Sequence, residues 1–366
     1  MTTRSLLALL AAMVLIGGCA QSGGTSPSAS AVASVAPSAA ESATEAAPSE
    51  AMSPSEAAPS EAMSPSELAT GGEASPSEAA SADPAADPCA FAEGTGSPAP
   101  SAASSPAAAT NPDDLLATIL EEGVMQVSTD PNYAPQSSQC PDGTFVGFDI
   151  DVAKELGRRL GVEVEFEVPT FDLVVAGGWN ERWDVSVGSV TVTPEREGVL
   201  DFTEPYYFTP AQLAATQASG ITDIEGFAGK AICVGSSTTY QFWLEGTLDL
   251  GPEGGDVTPP PEGATAFPLE TDQLCAQAAT SGRTDFDGWL TSSTTVQQAI
   301  DAGAPFTPIG DPVFYEPLAA ATDKNGPPHD ELQAELDRIV SEMHEDGTLT
   351  ALSEKWFGGL DLTKRQ

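Results

Sequence analysis

Twice along this chain, short apolar runs of strand length alternate with amphipathic stretches of helical period. Residues 124–128 read as a first strand. A helix is expected over 149–160, where Val152, Leu156 and Leu160 recur every four residues while Asp151, Lys154, Glu155, Arg158 and Arg159 face away. Strands follow at 162–168 and 185–188. After about residue 220 the pattern restarts: strand 230–234, helix from 237, strand 264–267, helix 271–281 and strand 284–287. A Pro/Gly-rich loop, 251–263, reads as an insertion in this second set. Two helices close the chain, 330–343 and 348–356; in the first, Leu332, Leu336, Ile339, Val340 and Met343 share one face. Such alternation predicts an α/β fold with helices on both faces of open sheets. Ligands of those sheets bind outside the carboxyl ends of the strands.

The first third of the 366 residues is different in kind. From residue 20 to 112 it is rich in Ala, Ser, Pro and Glu, and an 11-residue unit, AAPSEAMSPSE, occurs at 46–56 and again at 57–67. Each copy holds two prolines, which break a helix. The stretch carries 11 acids and no base. Low hydrophobicity with one sign of charge cannot offset the entropy of ordering, so a disordered tether is expected. On a random-coil basis it reaches roughly 50 Å. The remainder, 113–366, has 43 acids against 12 bases, a net charge of −31. An acidic domain of this kind argues against a nucleic-acid partner.

Ahead of the tether, Arg4 and an apolar stretch from Leu6 to Gly18 form a targeting segment too short to span a bilayer. Its end, Ile16-Gly17-Gly18-Cys19, resembles the lipobox of bacterial lipoproteins. That resemblance implies cleavage before Cys19, a diacylglycerol on its sulfur, and a chain held on the extracellular face of the membrane by lipid alone.

Eight short segments then occur in a telling order. They are Gly147-Phe148-Asp149-Ile150-Asp151, Phe171-Asp172, Asp184-Val185-Ser186-Val187, Thr193-Pro194-Glu195-Arg196, Asp201-Phe202-Thr203-Glu204-Pro205-Tyr206, Gly229-Lys230, Gly282-Arg283-Thr284-Asp285 and Lys355-Trp356-Phe357-Gly358. In this order they resemble the bacterial extracellular solute-binding proteins of family 3, over residues 115–360. The resemblance implies a two-lobed periplasmic-binding-protein fold of type II, hinged on two crossing strands. Lobe 1 would comprise 113–211 and 314–366, lobe 2 212–313, with crossings at 208–212 and 311–317. It implies a substrate-binding component of an ABC importer that closes on a polar amino acid or related small carboxylate and delivers it to permease subunits. A monomer without cofactor, metal or catalytic chemistry follows. The alternative is an enzyme on the same fold, a cyclohexadienyl or arogenate dehydratase.

The resemblance also assigns a site. Arg196 grips the ligand carboxylate, a task suited to a planar guanidinium. Ser189 and Thr191 complete its hydrogen bonds. Ser237 and Thr238 form a turn that opens a helix in lobe 2. Tyr133 and Phe171 sandwich the aliphatic stem, and Asp130 faces a cationic side chain. Counting from Gly282 puts the family's ammonium-binding aspartate at Leu290, which cannot serve; Asp287, Thr291 and Glu316 are the substitutes. Gln136 stands after Pro135 where the family has an aromatic residue.

Besides Cys19 there are Cys89, Cys140, Cys233 and Cys275. An even set in an exported chain favours disulfides, with three possible connectivities. A strand position for Cys233 and a place on the next helix for Cys275 favour joining these two. Cys89 with Cys140 would then pin the tether's end to lobe 1. Only two histidines occur, His329 and His344, and no phosphate-cradling Gly-x-x-x-x-Gly-Lys run exists, so ATP hydrolysis falls to a partner.

Overall fold

The computed structural model describes residues 87–94 and 107–365. The targeting segment, Cys19 and tether residues 20–86 and 95–106 lie outside the described residues. The first described element is α1 (Pro88–Gly94). It falls inside the stretch expected to be disordered. Phe91 explains the difference: this aromatic buries itself edge-on against Trp356, 5.2 Å between centroids. The Cys89–Cys140 disulfide ties α1 to lobe 1.

Next come α2 (Leu115–Glu122) and β1 (Val124–Ser128). Asp114 caps α2 by accepting from the Leu116 amide, and it also accepts from the amides of Glu331 and Leu332. A small antiparallel sheet follows, β2 (Asn132–Tyr133), β3 (Ser137–Gln139) and β4 (Phe145–Val146). Then come α3 (Phe148–Leu160), β5 (Glu163–Glu167), α4 (Phe171–Val175), β6 (Val185–Thr191), β7 (Leu200–Phe202) and β8 (Tyr207–Thr216). The second set is β9 (Ala231–Gly235), α5 (Thr239–Glu245), β10 (Thr265–Leu269), α6 (Asp272–Thr280), β11 (Gly288–Ser292), α7 (Ser293–Asp301) and β12 (Phe306–Pro308). The chain returns through β13 (Phe314–Asp323) and ends in α8 (Asp330–Glu345) and α9 (Thr348–Trp356).

The main sheet has the order β10-β9-β11-β8-β13-β6-β1-β5. Its two ten-residue strands, β8 and β13, are the crossings. They pair antiparallel from Tyr207↔Leu318 to Ala211↔Phe314. Beyond that ribbon β8 pairs with β11 and β12, while β13 pairs with β6 and β7. On one side β1 runs parallel to β5 and β6; on the other β9 runs parallel to β10 and β11. Each lobe thus has its own parallel core, joined by one shared ribbon.

Both lobes bury helix faces against the sheet. In lobe 1 the predicted faces of α3 and α8 are buried, with Leu332, Leu336, Ile339, Val340 and Met343 fully covered. Arg159 departs from its predicted outward position. It is buried between Glu155 and Asp346, at 2.7 Å from each. In lobe 2 the Cys233–Cys275 disulfide joins β9 to α6 beside Trp289. The strand expected at 284–287 lies four residues later, as β11. Gly288-Trp289-Leu290-Thr291-Ser292 is buried on both faces, as befits a central strand that pairs parallel with β9 and antiparallel with β8, whereas Asp285 stays in water.

Candidate functional site

A cleft between the lobes leaves about 480 Å³ unfilled by protein. Its walls come from the segments that follow the carboxyl ends of strands: Asp130 and Tyr133 after β1, Gly188 to Thr191 at the end of β6, Gly235 to Tyr240 after β9, and Glu270 to Asp272 after β10. Glu316 enters from the crossing strand β13. Parallel strands leave their last backbone groups and the following loop at one edge, so two such sheets facing each other make one pocket.

Arg196 is the cation of this pocket. It sits in a single 3-10 turn after Pro194 and is 3% exposed. Its Nη1 donates to the Thr191 carbonyl and its Nη2 to the Ser237 carbonyl across the cleft, each at 3.0 Å. Its guanidinium stands 5.3 Å from the centroid of the Phe171 ring. Its Nε is buried and has no hydrogen-bond partner among the described residues. Burial lowers its pKa to about 10, opposed by Glu316, so it stays charged at neutral pH.

Thr191 serves two neighbours: its carbonyl holds Arg196 and its hydroxyl donates to Glu316 Oε1 at 2.8 Å. The Thr239 hydroxyl donates to the same oxygen. Burial still raises the Glu316 carboxyl above its ordinary pKa. Ser189 lines the cleft with a left-handed backbone, φ 56°. Its hydroxyl points behind the wall, donating to Asp149 Oδ2 and lying 2.6 Å from that oxygen and from Tyr207 Oη. Asp149 is fully buried, and burial raises its pKa to about 7.

Four further hydrogen bonds join lobe 2 to lobe 1. Tyr133 Oη is 2.9 Å from Tyr240 Oη. Gln136 Nε2 donates to Ser292 Oγ at 3.1 Å and Thr294 Oγ1 at 3.0 Å, and its Oε1 accepts from Thr295 at 3.3 Å. The aromatic residue expected at this place is thus replaced by an amide that clasps the two lobes. Thr238 lines the cleft, but its hydroxyl caps α5 through the Gln241 amide and donates to the Gly235 carbonyl. Ser237 contributes its carbonyl to Arg196, not its hydroxyl.

Asp287 is not in the site. It precedes β11 and so lies at the amino end of that strand, away from the cleft, where Lys230 pairs with it at 3.2 Å. Leu290 is buried in the lobe 2 core, and the strand ends at Ser292. The carboxylates that do line the cleft are Asp130, Glu270, Asp272 and Glu316. Burial raises the Asp130 carboxyl, and nearby Glu270 adds to the rise. Asp272 and Glu270 are absent from the predicted site, although the rule that ligands meet strand ends pointed to the residues after 264–267.

Two lobes, one shared ribbon and a cleft between strand ends define a hinged solute-binding protein. The sequence agrees: residues 125–359 match the model of the bacterial extracellular solute-binding proteins, family 3, and the chain belongs to that family. It is 29% identical over 256 residues to the L-cystine-binding protein TcyJ of Escherichia coli (strain K12), covering 69% of this chain and 89% of that one. Among solved structures it resembles an ancestral arginine-binding protein bound to arginine, with TM-score 0.55 and 26% identity over 64% of this chain and 99% of that one. It also resembles the ancestral amino acid-binding protein AncCDT-1, a precursor of cyclohexadienyl dehydratase, with TM-score 0.55 and 29% identity over 66% and 99% of the two chains.

Proposed function

We propose that this protein is the substrate-binding component of an ABC importer, lipid-anchored through Cys19 at the extracellular face of the membrane. It captures an amino acid with a cationic side chain by closing its two lobes and presents it to permease subunits. The charge of the cleft supports this most directly: one guanidinium, Arg196, faces four carboxylates, Asp130, Glu270, Asp272 and Glu316. A ligand with one carboxylate and more than one positive group answers that arrangement. Cystine has two carboxylates, and among the described residues that line the cleft the second would meet acids and no basic group beyond Arg196.

Capture at micromolar affinity needs about 8 kcal/mol. A desolvated carboxylate–guanidinium pair, the Tyr133 and Phe171 faces and a paired cation near Asp130 supply contributions of that order, strengthened as closure excludes water. Glu316 is a buried acid beside Arg196, which gives the dehydratase reading its one support. Its carboxylate is, however, fixed by the hydroxyls of Thr191 and Thr239.

Titration calorimetry against L-arginine, L-lysine, L-ornithine, L-histidine, L-cystine and L-glutamate tests the proposal. Binding by members of the cationic set and none by glutamate is expected. Equal binding of glutamate would refute the charge reading. Release of an aromatic acid from prephenate or arogenate would turn the assignment toward the enzyme.

A further inference from the structure

We propose that Asp149, behind the cleft wall, is a positioning residue: its negative charge holds Ser189 in place and so sets how tightly the cleft binds its ligand. This rests on the reading of the cleft as the ligand site and adds to it a residue that does not line it.

Asp149 stands in the first turn of α3, fully buried, with no ion pair among the described residues. Around it runs a chain of hydrogen bonds with one direction. Each phenol and the serine hydroxyl has a single proton to give. The Tyr206 hydroxyl donates to Asp149 Oδ1 at 2.9 Å and accepts from the Ser189 amide at 3.3 Å. The Ser189 hydroxyl donates to Asp149 Oδ2, so in its 2.6 Å contact with Tyr207 Oη it accepts. Every donor points toward Asp149, and only the ionised carboxylate takes both of its neighbours. The Asp149 amide donates in turn to the carbonyl of Gln136, whose side chain clasps lobe 2.

Ser189 is where this chain reaches the cleft. Its φ of 56° is a left-handed conformation that a serine keeps only where its surroundings fix it. Its amide and its hydroxyl both run to the Asp149 network. A proton on Oδ2 turns the Ser189 hydroxyl round toward Tyr207, and the Tyr207 phenol loses its acceptor. A proton on Oδ1 displaces the Tyr206 phenol in the same way. Either proton breaks a buried hydrogen bond at the residue that shapes the wall. Burial acts in the opposite sense by disfavouring the charge, which raises the carboxyl to about 7 and leaves both forms populated near neutral pH. The field agrees with the geometry: a cationic amino acid has net positive charge, which an ionised Asp149 attracts.

The titratable groups that face Asp149 are Tyr206 and Tyr207 at the start of β8 and Asp130 after β1. Burial and Asp149 itself keep both phenols protonated. Of the other elements packed on α3, β1, β3 and β4 carry no charged residue, and the acids of β5 are exposed. Helices α8 and α9 bring Glu342, Asp346 and Lys355, which pair with Arg159 and Asp151.

Calorimetry with L-arginine and L-lysine across pH tests the proposal on wild type and Asp149→Asn, whose amide cannot ionise. The ratio of dissociation constants, variant over wild type, cancels the titrations that the two proteins share. It should rise from near one at about pH 5 to about tenfold at about pH 9, the effect of one hydrogen bond, mostly between about 6 and 7. On binding at about pH 6.5, wild type should also release about half a proton more than the variant, read in buffers of unlike ionisation enthalpy. Ser189→Ala keeps the carboxyl and removes the hydroxyl that links it to the wall. Its ratio should climb over the same window, and it carries the test if the first variant misfolds. A ratio that does not change with pH makes Asp149 a packing residue and overturns the proposal while the amino-acid reading stands. So does a ratio that falls as pH rises. If wild type binds neither amino acid, the reading of the cleft fails and this proposal with it.

Discussion

The two lobes have the same plan but bring different things to the cleft. Lobe 1 offers groups already engaged: Arg196 is held by the Thr191 carbonyl of its own lobe and by the Ser237 carbonyl of lobe 2, Thr191 holds both Arg196 and Glu316, and Ser189 is tied back to Asp149 and Tyr207. Lobe 2 offers Asp272, whose buried Oδ1 has no hydrogen-bond partner among the described residues. Lobe 1 is therefore the preorganised half, which fixes where a carboxylate sits at little cost on binding. Both halves keep a buried group without a partner among the described residues, Arg196 Nε in lobe 1 and Asp272 Oδ1 in lobe 2. A hinge between two such halves ties closure to occupancy, because the closed form leaves both groups desolvated until a guest arrives.

The largest expected effect breaks the lobe 1 side of this contrast. Arg196→Ala should weaken ligand binding by about a thousandfold or more, since it removes a buried charged partner. The variant should fold, and thermal shift against the cationic panel should then show no stabilisation. Wild-type response would mean that the carboxylate lies elsewhere.

Removing the disulfides comes next. Cys233→Ser with Cys275→Ser frees a loop of 42 residues and should destabilise lobe 2 by about 4 kcal/mol on a chain-entropy basis. Cys89→Ser with Cys140→Ser opens a comparable separation of 51 residues, but α1 lies outside the cleft, so calorimetry should find ligand affinity changed less than about twofold. A similar loss of affinity from both pairs would deny that the lobes differ in this way.

The clasp between the lobes is a smaller lever. Gln136→Ala deletes contacts to Ser292, Thr294 and Thr295. Affinity should fall by roughly fivefold to thirtyfold, at about 1–2 kcal/mol for neutral hydrogen bonds, chiefly through faster release seen in stopped-flow fluorescence.

Much of lobe 1's contribution was legible before any coordinates. Asp130, Tyr133, Phe171, Ser189, Thr191 and Arg196 all line the cleft; Phe171 and Arg196 stand in ordered motifs, and the family resemblance pointed to the others. Lobe 2 was harder to read for physical reasons. A strand was expected at 284–287, but β11 lies four residues later, which puts Asp287 before its amino end and Leu290 in the core. Asp272 was hidden because acids commonly open helices, and only burial distinguishes this one. Gln136 was visible as an oddity but its partners lie more than 150 residues away. Helix α1 was masked by the composition around it, in which Phe91 is the one aromatic.

A separate effect, on stability rather than on affinity, concerns pH. Asp149 in lobe 1 and Asp272 in lobe 2 both have folded pKa values of about 7, raised by burial above their unfolded values near 4. A carboxyl that keeps its proton longer when folded favours the folded state at low pH. Its contribution is lost as pH rises from about 4 through about 7. The melting temperature of the ligand-free Asp149→Asn variant, minus that of wild type, should therefore rise over this window and level off above it. A flat difference would place the Asp149 carboxyl in its ordinary range.

A crystal structure of the protein with the amino acid that gives the largest thermal shift bears most directly on the division of labour between the lobes. The bound carboxylate should lie within hydrogen-bond distance of the Arg196 guanidinium and the positive groups should face the carboxylates that line the cleft. A guest with its carboxylate turned from Arg196, or its positive groups turned from all four acids, would contradict it.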